Sequence, residues 1–311
     1  MAGLINECQP QANEAAVSYL IRALAMNNSS LREVLEHLYG HGRRHIPFEG
    51  SAAFTQLTGV EQTWFEHRLP RWVERDRWRE ICLFGQSWRD DWTLRGTRQQ
   101  VCPSCLAETR FARAEWDLIA YAACHVHGAV LLDHCGYCGR GISPDRPALE
   151  VCSCGRYLVA DTAPAAPSVI QWSALLSRAI ATGNSVEEQQ GDLGALQGLS
   201  ADGAYRILLA FGGGQPALRG RVLNGIEPWL TSADMHELLA TAIQRLATST
   251  EFPWGSRSDI QRCVSALAEQ QLRGVTSFDR AFTAQVRDAI RLPSRWRNRH
   301  RVYQQQLTLF G

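Results

Sequence analysis

The sequence feature that most constrains this fold is a set of paired cysteine and histidine residues between positions 102 and 154. Cys102 and Cys105 enclose two residues, and Cys124 and His127 repeat this spacing after an interval of eighteen residues. Two thiolates on one tight turn can approach a single metal ion, and a tetrahedral zinc ion needs four such donors. We therefore predict a first zinc site at Cys102, Cys105, Cys124 and His127.

A second set of paired cysteines begins seven residues after the first set ends. A glycine follows each of its two pairs and lets backbone N–H groups turn toward the sulfurs, which offsets the negative charge of a thiolate-rich site. We predict a second zinc site from these four cysteines, and thus two structural zinc ions per chain: Cys135, Cys138, Cys152 and Cys154.

Three histidines lie close enough in sequence to complete the first site: His125, His127 and His134. The two-residue spacing favours His127, and we expect His125 at the surface or beside a ligand and His134 at a helix end or in a loop. Because four protein ligands would fill each site, neither keeps the open position that a catalytic zinc reserves for water. The His-x-Glu element of zinc deaminases is also absent, so we predict no enzymatic activity.

The composition is that of an ordinary folded protein: 311 residues, of which 45% are hydrophobic and 20% charged. The sequence shows no secretion signal and no apolar run long enough to span a membrane, so we expect a cytoplasmic protein whose thiols bind metal rather than pair as disulfides. All 32 basic Lys or Arg positions are arginine. Without lysine the chain can form neither a P-loop nor a Schiff base.

The N-terminal region predicts a bundle of short helices. Apolar residues at helical spacing from Val17 indicate an amphipathic helix with Asn13 as its cap, and Ser30 with Glu33 forms a capping box for a second helix that ends at Gly40. Two further helices, over residues 51–57 and 61–69, meet at a glycine turn. This pair is a candidate helix-turn-helix for DNA, although a plain packing corner has the same pattern.

Several arginines flank this corner and can contact phosphates or simply form a solvated face: Arg43, Arg44, Arg68 and Arg71. The stretch 72–98 is rich in tryptophan and arginine. Such side chains stack on bases in some proteins, but more often the tryptophans lie in the core and the arginines cover them. Its residues 81–84 predict a strand, and residues 114–123 predict a helix that brings the chain back to the first zinc site.

The remaining sequence is helical in pattern, after an alanine- and proline-rich stretch at 161–168 that reads as a linker. We predict a mainly α protein with small zinc-ribbon-like β elements. Its three parts are an N-terminal helical domain with the helix-turn-helix (1–98), a double zinc-finger module (99–160) and a C-terminal helical domain with a basic tail (161–311).

The basic tail is the one strongly charged region. Residues 257–311 contain 10 arginines against 4 acidic residues, whereas residues 1–98 contain 12 of each. This excess favours a nucleic acid or an acidic protein as partner, and a solvated terminal helix is the alternative. The candidate contact residues of the tail are Arg291, Arg295, Arg297, Arg299 and Arg301.

Three stretches together resemble the TniQ/TnsD family of transposition target-selection proteins. The first is Asn13-Glu14-Ala15 followed by the helix from Ser18 to Arg22 and by Asn27, and the second is Leu57-Thr58-Gly59-Val60 in the helical corner. The third is the zinc pattern, in which the ligands stand among Trp116, Gly128, Gly139 and Gly155. The resemblance covers about the first half of the chain, and the C-terminal half matches only in general character.

This resemblance implies a non-enzymatic adaptor of a DNA transposon that marks the target and recruits an AAA+ ATPase, which brings a DDE transposase. In some elements such an adaptor docks on an RNA-guided CRISPR effector, where base pairing with the guide RNA reads the sequence. In others it recognises a DNA site directly. Oligomeric state stays open, with a homodimer as one option, and no membrane partner is expected.

A second hypothesis belongs to a different class of protein. The same corner at 51–69 and the same zinc sites suit an autonomous zinc-containing transcription factor that binds an operator. Neighbouring genes discriminate between the two hypotheses, because a transposition adaptor is expected beside an AAA+ ATPase and a DDE transposase.

Overall fold

The computed structural model describes residues 4–40, 46, 50–75, 79–90, 93–95, 98–159, 162–187, 191–212, 230–247 and 257–290. Over these residues the chain is mainly helical, with one three-stranded and one two-stranded antiparallel sheet. The predicted fold class is therefore confirmed. No helix within the described ranges is both long and apolar enough to cross a membrane.

Four helices form the N-terminal part: α1 (Ala16–Ala25), α2 (Leu31–Tyr39), α3 (Ser51–Thr58) and α4 (Gln62–Arg68). Their apolar faces meet in a core of their own around Tyr19, Leu20, Phe54 and Phe65, each at most 1% exposed. Edge-on aromatic contacts, such as Tyr19 to Phe65 at 6.0 Å between ring centroids, order this core.

One of the two predicted helix starts is confirmed and one is wrong. Ser30 accepts a hydrogen bond from the Glu33 N–H and Glu33 returns one to the Ser30 N–H, so the capping box at α2 is present. Asn13 does not cap α1, which begins after the extended residue Ala15. Its carbonyl instead accepts a hydrogen bond from the Ala114 N–H at 2.8 Å, because the chain before α1 pairs with the metal-binding region.

A small sheet follows α4, with strands β1 (Arg71–Glu74), β2 (Arg79–Leu83) and β3 (Gln86–Trp88) in that order. β2 confirms the predicted strand. Phe84 and Gly85 turn the chain between β2 and β3 with φ of 56° and 70°, as a tight two-residue hairpin requires. Trp88 is fully buried and Trp72 is partly buried, so the described tryptophans of this stretch form core.

The metal-binding region contains α5 (Pro103–Thr109), a 3₁₀ turn (Ala114–Asp117) and the short strands β4 (Ala123–Cys124) and β5 (Ala129–Val130). The helix predicted over residues 114–123 is wrong beyond this turn. Leu118 is extended and bridges Leu94, and the Ile119 N–H donates to the Thr93 carbonyl at 2.9 Å. These distant partners take the backbone groups that a longer helix would use internally.

The described residues of the C-terminal part include five α-helices: α6 (Pro167–Thr182), α7 (Ala201–Phe211), α8 (Ser232–Ala247), α9 (Arg257–Arg273) and α10 (Ser277–Ala289). Every residue of α7 is buried, so this helix is the centre around which the others pack. The segment read as a linker also makes contacts: the Ala165 N–H donates to the Gly128 carbonyl at 2.8 Å.

The larger hydrophobic core continues from the sheet through the metal-binding region into the C-terminal helices. A buried polar network supports this continuity. The Asp133 carboxylate accepts hydrogen bonds from the Arg95 guanidinium and from the Ser232 N–H, at 3.3 and 2.6 Å, and so ties the chain before Cys135 to the start of α8. The domain boundaries at 98 and 160 stay predictions.

Candidate metal centres

Three short elements carry the four residues of the first predicted site. Cys102 precedes α5 and Cys105 lies in its first turn, while Cys124 ends β4 and His127 lies in the turn to β5. Gly128 closes that turn with φ of 64° and donates its N–H to the Cys124 carbonyl at 2.8 Å. A side chain at this φ would be strained, which explains the glycine.

The donor atoms of the first site are spaced as a tetrahedral zinc ion requires. With bonds of about 2.3 Å to sulfur and 2.0 Å to nitrogen, the tetrahedron has edges of about 3.8 Å between sulfurs and 3.5 Å between sulfur and nitrogen. The Cys105 and Cys124 sulfurs are 3.6 Å apart, and His127 Nδ1 lies 3.2 to 3.6 Å from the three sulfurs. All four donors lie within 4.8 Å of one another.

The structure separates the three histidines considered for this site. His127 presents Nδ1 to the sulfurs, and its Nε2 lies 2.9 Å from the Glu108 carboxylate, the arrangement that fixes a metal-binding imidazole in one tautomer. His125 contacts the Tyr121 hydroxyl at 2.6 Å, and His134 contacts Asp133 at 2.7 Å. The sequence did not reveal Glu108 as a supporting residue, because it is nineteen positions from His127.

The second site is built from two turns without a flanking helix. Gly139 and Gly155 have φ of 69° and 82°, and their N–H groups donate to the Cys135 and Cys152 carbonyls at 2.8 Å. These left-handed turns bring the two pairs face to face. The Cys135 and Cys154 sulfurs are 3.9 Å apart, as are those of Cys138 and Cys152, close to the edge of a zinc–thiolate tetrahedron.

All eight side chains therefore form two closed groups of four. The cysteines are free thiols, since sulfur separations of 3.6 to 3.9 Å greatly exceed the bond of about 2.05 Å in a disulfide. Two closed sets of four thiolate or imidazole donors fit structural metal ions. Their assignment as ligands and the identity of the metal stay predictions.

Hydrogen bonds favour the thiolate form at one cysteine in each group. Bonds to the Cys105 and Cys124 side chains, with the N–H groups of Cys105 and Ser104, lower the pKa of Cys102 to about 3. The N–H and guanidinium of Arg140 lower the pKa of Cys138 to about 6. Side-chain hydrogen bonds from Cys102 and Cys124 raise the pKa of Cys105, and desolvation with side-chain hydrogen bonds from the other cysteines raises that of Cys154 to about 11. One cysteine in each group, rather than the whole group, therefore favours the thiolate that binds metal.

The predicted nucleic-acid or partner residues have different outcomes. Arg43, Arg44 and the five arginines of the tail (Arg291, Arg295, Arg297, Arg299 and Arg301) lie outside the described residues. Arg68 donates to the carbonyls of Ala12 and Glu14 and stacks on Trp64, 4.6 Å from the ring centroid, so its guanidinium stabilises the fold. Arg71 is exposed on β1, 3.7 Å from the Cys82 sulfur.

The helical corner consists of two short helices that meet at a glycine turn, as predicted. α3 ends at Gly59, which has φ of 75°, and α4 starts three residues later. Glu61, which precedes α4, and Glu66 on α4 are exposed, and Glu66 accepts a hydrogen bond from Gln62 at 2.6 Å. Carboxylates at this position repel phosphates. The role of the corner as a DNA-binding helix-turn-helix is not confirmed.

A polar network that sequence reasoning did not identify joins α1 to the metal-binding region. Glu14 is fully buried and binds the Arg22 guanidinium through both oxygens, at 2.6 and 2.7 Å, and the Ser18 hydroxyl at 2.8 Å. The Ser18 oxygen in turn accepts a hydrogen bond from the Ala112 N–H at 2.8 Å. The spacing of four residues between these polar positions was the available indication.

Asn27 has a similar structural role at the other end of α1. Its side-chain oxygen accepts hydrogen bonds from the Ile5 and Asn6 N–H groups, and its amide donates to the Asn6 and Ala23 carbonyls. This side chain therefore holds residues 5 and 6 against the end of α1. The polar residues of the opening motif thus stabilise the fold.

Comparison with known proteins gives one match. Residues 7–131 match the model of the TniQ family. The matched segment runs from the chain before α1 through the sheet and the whole first metal site to β5. The family resemblance noted from the sequence is thereby confirmed over this segment. No curated protein matches the chain.

Proposed function

Because residues 7–131 place this chain in the TniQ family, we propose that it is a target-selection adaptor of a DNA transposon. In this role it links a DNA-bound targeting complex to an AAA+ ATPase, which brings a DDE transposase. The single observation that supports the proposal is the family match, which spans the N-terminal helices, the polar network of Glu14 and the first metal site.

The metal sites support a scaffolding role within this proposal. Each group offers four protein donors to one ion, so a bound metal would have no position for a water nucleophile. We propose that both ions are zinc, since thiolate-rich tetrahedral sets select zinc over harder cations. Metal analysis of the purified protein should find two zinc ions per chain. A value of one or none would contradict this assignment.

The helical corner supports a protein contact more than direct reading of DNA. An operator-binding helix needs a face that approaches the base edges and phosphates, whereas α4 exposes Glu66 and is preceded by the exposed Glu61. Arg68, the one described arginine of α4, binds backbone carbonyls. These contacts count against the autonomous transcription factor, and they favour a targeting complex in which another component reads the target.

Reconstitution with neighbouring gene products tests the proposal. The tagged protein is co-expressed with the AAA+ ATPase and DDE transposase encoded beside it, and insertion into target DNA is counted with and without each component. We expect the protein to retain its own ATPase but not an unrelated AAA+ ATPase, and we expect targeted insertion to be lost without it. Retention of neither ATPase, or insertion unchanged by its omission, would refute the adaptor role.

A second arm of this experiment separates the two modes of targeting. If an RNA-guided CRISPR effector is the targeting complex, insertion will follow the sequence of the guide RNA when the guide is changed. If the protein reads its own DNA site, the position of insertion will be independent of any guide. Both outcomes retain the adaptor role and differ in the partner on its DNA side.

A further inference from the structure

The second metal site has an unusually exposed outer surface. Tyr137 is 71% exposed, Tyr157 is 67% exposed and Val159 is 74% exposed, although all three belong to one small turn-rich segment. Tyr137 lies between the two cysteines of the first pair, and Tyr157 follows the second pair. Within this site Cys135 and Cys152 are 1% exposed, whereas Cys138 and Cys154 are half-buried, so the site has a buried side and an outer side.

Arginine side chains accompany the two rings. The Arg156 guanidinium carbon lies 4.6 Å from the centroid of the Tyr137 ring, so the two groups form one stacked unit at the surface. Arg140 is also exposed, and it lowers the pKa of the neighbouring Cys138 thiol. Glu150 is the one exposed acidic residue in the described range 135–159. Arg156, which stacks on Tyr137, is therefore a cation beside the rings that can meet an anionic ligand.

The shape of this surface decides which kind of ligand it suits. A stable protein interface needs about 800 Å² per partner, with aromatic anchors that fill pockets. Here Tyr137 lies in the turn between the first two cysteines, and Tyr157 follows the second turn and bridges Val151, so the two rings project from separate short segments. A nucleobase needs only one flat ring on which to stack. Bases within a duplex already stack on each other, so unpaired nucleotides are the form that fits.

We propose that the outer surface of the second metal site binds single-stranded nucleic acid, with bases stacked on Tyr137 and Tyr157 and a phosphate near Arg156. The ligand is recognised through its flat bases and its backbone charge, which single-stranded DNA and RNA share. The proposal adds a ligand to the adaptor role but does not depend on it, since binding of an oligonucleotide needs neither the ATPase nor the transposase.

Fluorescence anisotropy of the full-length, metal-loaded protein tests this surface. The probes are a labelled oligothymidylate, the matching oligouridylate, and a duplex of oligothymidylate with its complement. We expect both single strands to bind more tightly than the duplex. Preference of thymidylate over uridylate would identify DNA as the source of the ligand, and the reverse would identify RNA. Tighter binding of the duplex would overturn the proposal.

Variants separate stacking from charge. Tyr137→Ala and Tyr157→Ala should each weaken binding about tenfold, whereas Tyr137→Phe should bind like the wild type because it keeps the ring. Arg156→Gln should lower the slope of log affinity against log salt by about 0.7. Arg273→Gln, whose exposed guanidinium pairs with Glu269 of its own helix, should leave this slope unchanged. Each variant is first shown to hold the same metal content as the wild type, which excludes unfolding.

Two results would overturn the proposal. One is equal oligonucleotide binding by wild type, Tyr137→Ala and Tyr157→Ala. The other is a loss of ATPase retention in these two variants with no change in oligonucleotide binding, which would assign the surface to a protein partner. Failure of the adaptor role is distinguishable from both, because it would appear in the wild-type protein as absence of ATPase retention.

Discussion

The two metal sites have the same number of donors and similar spacing, but their surroundings differ. The first lies within the large hydrophobic core, where the sulfurs of Cys102, Cys105 and Cys124 belong to residues at most 2% exposed. In the second, Cys135 and Cys152 reach the same core, but Cys138 and Cys154 are half-buried and the neighbouring Tyr137 and Tyr157 are exposed. We infer from this difference that the first site stabilises the fold more than the second, whose outer side is open to a ligand.

The largest expected effect on stability comes from replacing one cysteine of each metal site. Cys105→Ser should remove the ion from the first site and unfold the protein, because binding of a structural zinc ion supplies about 10 kcal/mol of folding free energy and this site is surrounded by core. Cys138→Ser should also lose one ion but leave the N-terminal and C-terminal helices folded. Metal analysis and urea unfolding followed by circular dichroism measure both changes.

The contrast between the two cysteine variants has its own control. Cys82→Ser changes a half-buried cysteine outside both groups and should retain two ions with nearly wild-type stability. If Cys138→Ser unfolds the protein as completely as Cys105→Ser, the second site is as essential to the fold as the first. The distinction drawn here between scaffold and surface would then be wrong.

The next effect concerns the link between the N-terminal helices and the first site. Arg22→Ala should destabilise the protein by about 3 to 5 kcal/mol, because it leaves the fully buried Glu14 carboxylate without its ion pair. Arg32→Ala removes an exposed pair with Glu36 on α2 and should change stability far less, because water screens an exposed ion pair. Thermal or urea unfolding compares them. Equal losses would show that the Glu14 network does not join α1 to the core.

The sequence predicted which cysteines and which histidine come together because the information is local. Closely spaced pairs and the glycines after them determine each turn, so spacing indicated the grouping of Cys135, Cys138 and their partners, while their role as metal ligands stays a prediction. The helix predicted over residues 114–123 was wrong for the opposite reason. Its backbone pairs with residues 93–95, and alanine-rich helical propensity carries no record of a partner so far away in the chain.

Partnerships between distant side chains were equally invisible in the sequence. Arg68 was a candidate for phosphate contact, but its guanidinium binds carbonyls of residues 12 and 14, more than fifty positions away. An arginine that stabilises the fold and one that binds a ligand look alike in one sequence. The exposure of Tyr137 was also hidden, since tyrosine occurs about as often in cores as at surfaces.

A smaller effect tests how the first site holds its histidine. Glu108→Gln should lower the metal affinity of the first site about 10-fold to 100-fold, because the carboxylate that orients His127 through Nε2 is lost. Glu150→Gln is the matched change beside the second site and should leave both affinities unaltered. Competition with a chelator followed by metal analysis reads each site. If the ion of the first site is removed at the same chelator concentration in Glu108→Gln as in the wild type, Glu108 does not support His127.

The smallest effect is a dependence on pH that only the buried surroundings of the first site should show. Burial raises the pKa of Glu115 in the folded protein above the value of about 4.3 expected in the unfolded chain. The folded state therefore binds this proton more tightly, and the resulting stability is lost as pH rises through the folded pKa. Its carboxylate accepts a hydrogen bond from Ser177 at 3.1 Å, which glutamine can replace.

Glu115→Gln should consequently gain stability relative to the wild type as pH rises from about 4 toward neutrality. Urea unfolding of both proteins across this range, with metal content verified at each pH, gives the difference directly. Glu150→Gln, a change of an exposed carboxylate near the second site, is the control for the substitution itself. If the difference in unfolding free energy between the two proteins stays constant with pH, Glu115 titrates alike in the folded and unfolded chain. Burial beside the first site would then have no effect on the pKa of this carboxylate.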